Sequence, residues 1–155
     1  MAPTLFAAMQ EQAGEVEFNC FDVLKRMGPG ALPAVLEEIG RGDAGFTDKA
    51  LTKRRLFRAR LVAIAGEARA PGGADALCRI LHEDAWGPVR RKAAFYLGEQ
   101  RDPRAVPALI AALRDDAAED VRVSAQGALR KCCGKDLGPN PDVWEQWWKD
   151  HPPSP

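Results

Sequence analysis

The chain has 155 residues, 46% of them hydrophobic, so it is long enough and apolar enough to bury a core, and a disordered chain is excluded. Basic and acidic residues both number 22, which leaves no net charge and no global field favouring nucleic acid or an anionic membrane surface. The four cysteines, Cys20, Cys78, Cys132 and Cys133, show no C-x-x-C spacing and read as reduced, mostly buried thiols of a cytoplasmic protein.

From the N-terminus, MAPTLFAAMQEQAGE has no basic start followed by a long apolar run, so neither a secretion signal nor a membrane anchor is expected. A short helix is predicted near Thr4 to Gln12. A second lies in EVEFNCFDVLKRMG, where Val16, Cys20, Val23, Leu24 and Met27 share a face and Gly28 closes it. Residues 1–30 are expected to cap the N-terminal end of the helical array that begins after them. GPGALPAVLEEI, from Gly28 to Ile39, reads as the next helix. A loop, RGDAGFTDK, then leads to a long basic helix from Thr47 to Glu67. It carries KRRLFRAR, with Lys53, Arg54, Arg55, Arg58 and Arg60, and the basic run continues through Arg69 to Arg90, Arg91 and Lys92.

From here the chain repeats itself. DAWGPVRRKAA at Asp84 returns as DAAEDVRVSAQ at Asp116, a step of 32 residues. The same step sets Val89-Arg90 on Val121-Arg122, Ala93 on Ala125, Leu97 on Leu129, Leu77 on Leu109, Leu81 on Leu113 and Pro71 on Pro103. One copy earlier it reaches Phe57-Arg58, Leu61, Ala65 and Gly66, with Gly66 landing on Gly98. A period of roughly 20–50 residues marks stacked repeats. Within a copy the apolar spacing is helical, as in Val121, Ala125, Ala128 and Leu129, so each copy is two helices. Pro71 and Pro103 sit where first helices start; Gly66 and Gly98 lie near the ends of second helices. Asp84 and Asp116 belong to the turn between the two helices, where a carboxylate accepts from helix N-terminal N–H groups. Arg90 and Arg122 lie one turn into the second helix, within reach of that turn or of the neighbouring copy's. This pattern reads as a structural ladder rather than a catalytic pair. Ala93 and Ala125 let the second helices approach closely.

The motif D-x4-V-R-x2-A-x3-L after a proline-started helix such as DPRAVPALIAALRDD resembles the HEAT repeat, in particular the short bacterial type associated with phycobilin lyases. The match runs roughly from Lys53 to Lys135. Gly28 to Ile39 resembles a further first helix, although Thr52 stands where the turn Asp belongs and Arg41 to Lys49 are extra. The resemblance implies an all-α fold, a right-handed α-α superhelix (HEAT-like solenoid) of stacked antiparallel helix pairs. Residues 1–150 then form one domain, with caps at 1–30 and 140–150, helix pairs at 31–67, 71–100 and 103–133, and a disordered tail at 151–155.

In the closing helix, NPDVWEQWWKD, Asn140 is the N-cap and Pro141 the first helical residue. Trp144, Trp147 and Trp148 fall at i, i+3 and i+4. An aromatic cage or base-stacking platform is one reading of this stripe; a cap that buries at least two indoles is the favoured one. No H-E-x-x-H, G-x-S-x-G, phosphate-cradling loop or Cys/His zinc spacing occurs, so no catalytic residue, cofactor or metal is assigned.

Second helices of a solenoid share a surface, so residues 32 apart form rows. Arg60, Lys92 and Ser124 make one; Ala63, Phe95 and Gly127 another; Glu67, Glu99 and Lys131 a third. With Arg91 alongside, this mixture of basic residues, one aromatic and an acidic rim suits a protein-binding groove better than a phosphate track. The competing reading leaves these as solvated helix faces with Phe95 buried. The expected function is therefore a non-enzymatic interaction module that takes a protein partner through Arg60, Arg91, Lys92, Phe95 and Ser124. The alternatives are a nucleic-acid binder using the basic face from Lys53 to Lys92 and, through the resemblance, a chromophore-lyase-like subunit.

Overall fold

The structure is a computed structural model that describes residues 22–69 and 71–152; the expected helix at Thr4 to Gln12, together with Val16 and Cys20, lies outside them. Among the described residues all regular structure is helical. The chain divides into two compact units, Met1–Gly73 and Ala74–Pro155.

In the first unit, helical residues 22–27 run through a 3-10 turn, Gly28–Ala31, into α1 (Leu32–Gly40), and α1 packs on α2 (Asp48–Glu67). Leu24 is fully buried, whereas Val23 and Met27 of the same expected face are largely exposed. Leu32, Val35 and Ile39 bury one side of α1, and α2 answers with Phe57, Leu61, Val62, Ile64 and Ala65. Arg54 and Arg58 fall on that same inner face, three residues before Phe57 and three before Leu61. They are therefore buried too, with Arg54 only 3% exposed.

A buried guanidinium needs partners for its charge and its N–H groups, and the end of α1 together with the segment that follows it supplies them. Arg54 donates to the Glu38 backbone oxygen at 2.7 Å and the Gly42 oxygen at 3.0 Å, and it pairs with the Glu38 carboxylate. Its guanidinium carbon lies 5.5 Å from the Phe46 ring centroid and 5.7 Å from that of Phe57. Arg41 reaches Glu38 from the other side at 2.9 Å. Asp43 receives Arg55 at 2.7 Å and pairs with Arg58. This corrects one expectation. The run KRRLFRAR does not form a basic face, because Arg54 and Arg58 point inward and Arg55 is tied to Asp43; Lys53 and Arg60 are the exposed members. Thr52, which stands where the turn Asp of the other copies belongs, lies inside α2 with its hydroxyl donating to the Asp48 oxygen at 3.4 Å. The extra residues carry the acid instead, in Asp43.

The second unit contains α3 (Gly73–Glu83), α4 (Gly87–Gln100), α5 (Val106–Asp115), α6 (Glu119–Cys133) and α7 (Pro141–Asp150). The helices pack as neighbours, α4 on α6, α5 on α6 and α7 on α5. Neither proline opens its helix as expected: Pro71 is in a turn before α3, and Pro103 begins a 3-10 turn, Pro103–Ala105, ahead of α5. The positions that echo after 32 residues form the core, with Leu77 and Leu109, Val89 and Val121, Ala93 and Ala125, and Leu97 and Leu129 all inaccessible to solvent. Gly98 has a specific reason to lack a side chain. A Cβ there would stand 2.7 Å from the Ala128 Cα, so α4 and α6 touch backbone to backbone.

The face of α4 turned to α6 is Gly87, Arg90, Ala94 and Gly98; a Cβ on Gly87 would meet Ala118 Cβ at 3.4 Å. The corresponding face of α6 carries Glu119, Arg122, Gln126 and Arg130, none of them buried. The close-packing face is thus replaced by a polar one on the last second helix, as an end repeat requires. At the C-terminus Asn140 caps α7, its side-chain oxygen accepting from the Asp142 N–H at 2.9 Å. Trp144 is fully buried, and its indole N–H donates to the Gly138 oxygen at 2.8 Å. The cap fully buries one indole rather than two: Trp147 and Trp148 share the face of Trp144 but are only half-buried. His151 stacks on Trp147 with centroids 4.8 Å apart; residues 153–155 of the expected tail lie outside the described residues.

Candidate functional site

Asp84 and Asp116 each follow the end of a first helix, and each carboxylate turns back onto the next backbone. Asp84 accepts from the Trp86 N–H and Asp116 from the Ala118 N–H, both at 2.9 Å. Arg90 and Arg122 then reach down to the carbonyl of their own turn, Arg90 to the Asp84 oxygen at 2.7 Å and Arg122 to the Asp116 oxygen at 2.6 Å. The other edge of Arg90 crosses to the next copy, donating to both Asp116 oxygens at 2.7 and 2.8 Å. The bonds from Arg90 hold the Asp116 carboxyl below its ordinary range although burial opposes this. Asp43 in the first unit shifts the same way: burial would raise it, but Arg55 and Arg58 together outweigh that. Asp84, Arg90, Asp116 and Arg122 are thus joined by hydrogen bonds within each turn and from one turn to the next.

On the other side of α4 and α6 lies an open groove of about 820 Å³, lined by Arg91, Lys92, Phe95 and Tyr96 from α4 and by Glu119, Asp120, Val123 and Ser124 from α6. Four of the five residues assigned to partner binding, Arg91, Lys92, Phe95 and Ser124, are thus brought together. The fifth, Arg60, is exposed on α2 of the first unit. Phe95 is 48% exposed and Val123 61%, which decides against a buried Phe95. The ring of Phe95 meets the edge of Tyr96 at 5.2 Å, and the Lys131 ammonium lies 5.0 Å from its centroid while pairing with Glu99. Ser124 donates to the Arg91 carbonyl at 3.1 Å and pins the two helices side by side. Arg91 and Asp120 form only a long, exposed pair at 3.6 Å. Lys92 and Glu119 have no ion-pair partner among the described residues. Val123 and Glu119 break the 32-residue echo too, standing opposite Arg91 and Gly87, but the rows drawn from the sequence did not include them.

The remaining chemistry is quiet. Cys78, Cys132 and Cys133 are free and half-buried. Burial pushes the Cys78 thiol up to about 11 and that of Cys132 up to about 12, so both stay protonated and poorly nucleophilic near neutrality. Among the described residues no group of three or more His, Cys, Asp or Glu is placed to hold a metal ion, and no helix is long and apolar enough to cross a membrane.

Comparison with curated proteins finds no match. The family description HEAT repeats matches residues 49–130, more than half of the chain. That span includes the ladder, the echoed core and the groove helices, and the chain belongs to the HEAT-repeat family.

Proposed function

We propose that the chain is a non-enzymatic interaction module that seats a segment of a partner protein in the groove between α4 and α6. HEAT repeats generally serve as protein-interaction scaffolds. The observation that carries the reading to this surface is Phe95, a large aromatic standing half in water where the surrounding core positions of α4 are sealed. Interface centres are enriched in aromatics surrounded by polar rims, and Phe95 with Arg91, Lys92, Glu119 and Asp120 has that composition. Arg60 offers a further contact on its own unit. The arrangement does not suit a phosphate track, because Glu119 and Asp120 stand among the cations and the buried Arg54 and Arg58 are spent on Glu38 and Asp43.

The test is retention from lysate at low and moderate salt, comparing the native chain with Lys92→Glu/Phe95→Ala and, separately, Arg60→Glu. A protein retained at moderate salt and lost with the groove variant supports the module. Retained nucleic acid that is shed as salt rises, or a partner indifferent to the groove variant, overturns it.

A further inference from the structure

The groove has an internal order that goes further than its composition. Its residues fall in levels along the two parallel-lying helices. Glu119 and Asp120 come first. Arg91 and Lys92, level with Val123 and Ser124, come second; the Ser124 bond to the Arg91 carbonyl fixes this alignment. Phe95 comes next, level with Gly127, and the Lys131 pair with Glu99 closes the far end. Successive levels are three to four residues apart, about one helical turn or ~5.4 Å. At the third level Phe95 stands half exposed with the Lys131 ammonium 5.0 Å from its ring centroid, and Gly127 adds no bulk, since a Cβ there would meet nothing within 4 Å. At the first two levels Glu119 and Lys92 are charges with no ion-pair partner among the described residues. The groove therefore reads, turn by turn, as acid, base and half-exposed aromatic.

We infer that the occupant is an amphipathic helix of a partner protein carrying a basic residue, an acidic residue and a large apolar residue on one face, spaced about a turn apart in that order or its reverse. A helix laid along the groove matches its levels because its own face repeats every three to four residues. The basic residue meets Glu119 and Asp120, the acidic one meets Lys92 and Arg91, and the apolar one enters over Gly127 against Phe95 and Val123. This rests on the proposal that the groove seats a protein segment and adds the polarity of the partner.

Two labelled Ala-rich helical peptides of about 18 residues test it, long enough to hold helix in water. One has basic, acidic and Leu side chains at i, i+4 and i+7; the other exchanges the acid and the base. Each is titrated by fluorescence anisotropy into the full chain, Lys92→Glu/Glu119→Lys, Gly127→Leu and Phe95→Ala. The native chain should prefer the first peptide about five-fold, as two exposed ion pairs allow. The double variant, which leaves one charge of each sign at each of the first two levels, should lose that preference, and Gly127→Leu should lose both while keeping the native circular dichroism spectrum. An unchanged order of preference in the double variant, or no binding of either peptide, overturns the inference. Equal binding of both peptides that Phe95→Ala abolishes also overturns the polarity but leaves the groove reading standing, whereas binding indifferent to Phe95→Ala removes the groove reading as well.

Discussion

Two glycines on neighbouring helices should respond to the same substitution with opposite signs. An alanine at position 98 places its Cβ 2.7 Å from the Ala128 Cα and 2.9 Å from the Ala128 Cβ. Carbon atoms in contact sit at about 3.5–4.0 Å, so α4 and α6 must part by about 1 Å along their tightest line. Overpacking of this kind costs about 1–3 kcal/mol. Against it stands the gain of about 0.5–1 kcal/mol for replacing a mid-helix glycine by alanine. Gly98→Ala should therefore lose about 1–2 kcal/mol. Gly127→Ala meets open space and keeps only the gain, about 0.5–1 kcal/mol. Urea unfolding followed by far-ultraviolet circular dichroism reads both. With a slope of about 2 kcal/mol/M, the midpoint falls by about 0.5–1 M for Gly98→Ala and rises by about 0.3–0.5 M for Gly127→Ala. A Gly98→Ala chain as stable as the native one would show that α4 and α6 do not meet at this point.

Asp116 titrates lower in the folded chain than in the unfolded one, so its contribution is present above about pH 4 and is lost as pH falls through the folded value. Asp116→Asn should be less stable at pH 7 yet show a flatter loss between about pH 4 and 2, which stability measured across that range checks. Arg54→Met removes the buried partner of the Glu38 carboxylate, leaving it the half-exposed Arg41, and should cost about 3 kcal/mol, while Arg54→Met/Glu38→Leu should recover most of it in the same urea assay. If the double variant is no better than the single, the pair is not what Arg54 is for. Cys78 and Cys132 should resist iodoacetamide at pH 8 in the folded chain and react once it is unfolded, as peptide mass spectrometry reads; fast labelling of either in the folded state contradicts their burial.

The repeat is plain in the sequence because solenoid packing is periodic: what Leu97 and Ala93 need from their neighbours, Leu129 and Ala125 need again. The ladder is equally plain, since Asp84, Arg90, Asp116 and Arg122 keep both identity and spacing. Arg54 and Arg58 mislead for the opposite reason. A charge run looks solvated, and only the phase of Phe57, Leu61 and Ala65 along α2 shows that two of its members turn inward, towards acids at the end of α1 and in an insertion with no counterpart elsewhere in the chain. Trp147 and Trp148 are overcounted because a spacing of i, i+3 and i+4 names a face of α7 but not how much of it α5 covers. The groove is half visible: Lys92, Phe95 and Ser124 stand out as breaks in the echo. The open space at Gly127 and the charges at Lys92 and Glu119 that find no ion-pair partner among the described residues depend on distances that no spacing encodes.

The polar face of α6 bears on how such an array grows. Repeat proteins lengthen when a segment is copied in tandem, and the new copy must lie on the face left by the old one. Copying the last helix pair here would bring Arg130 onto the next copy's Ala128, where Gly98 now leaves no room for even a methyl group. Duplication at this end is therefore barred by a few side chains on α6 itself, whatever becomes of the closing helix. Arg130 and Gln126 are thus the side chains that would have to become small before a further copy could pack on α6 as α6 packs on α4.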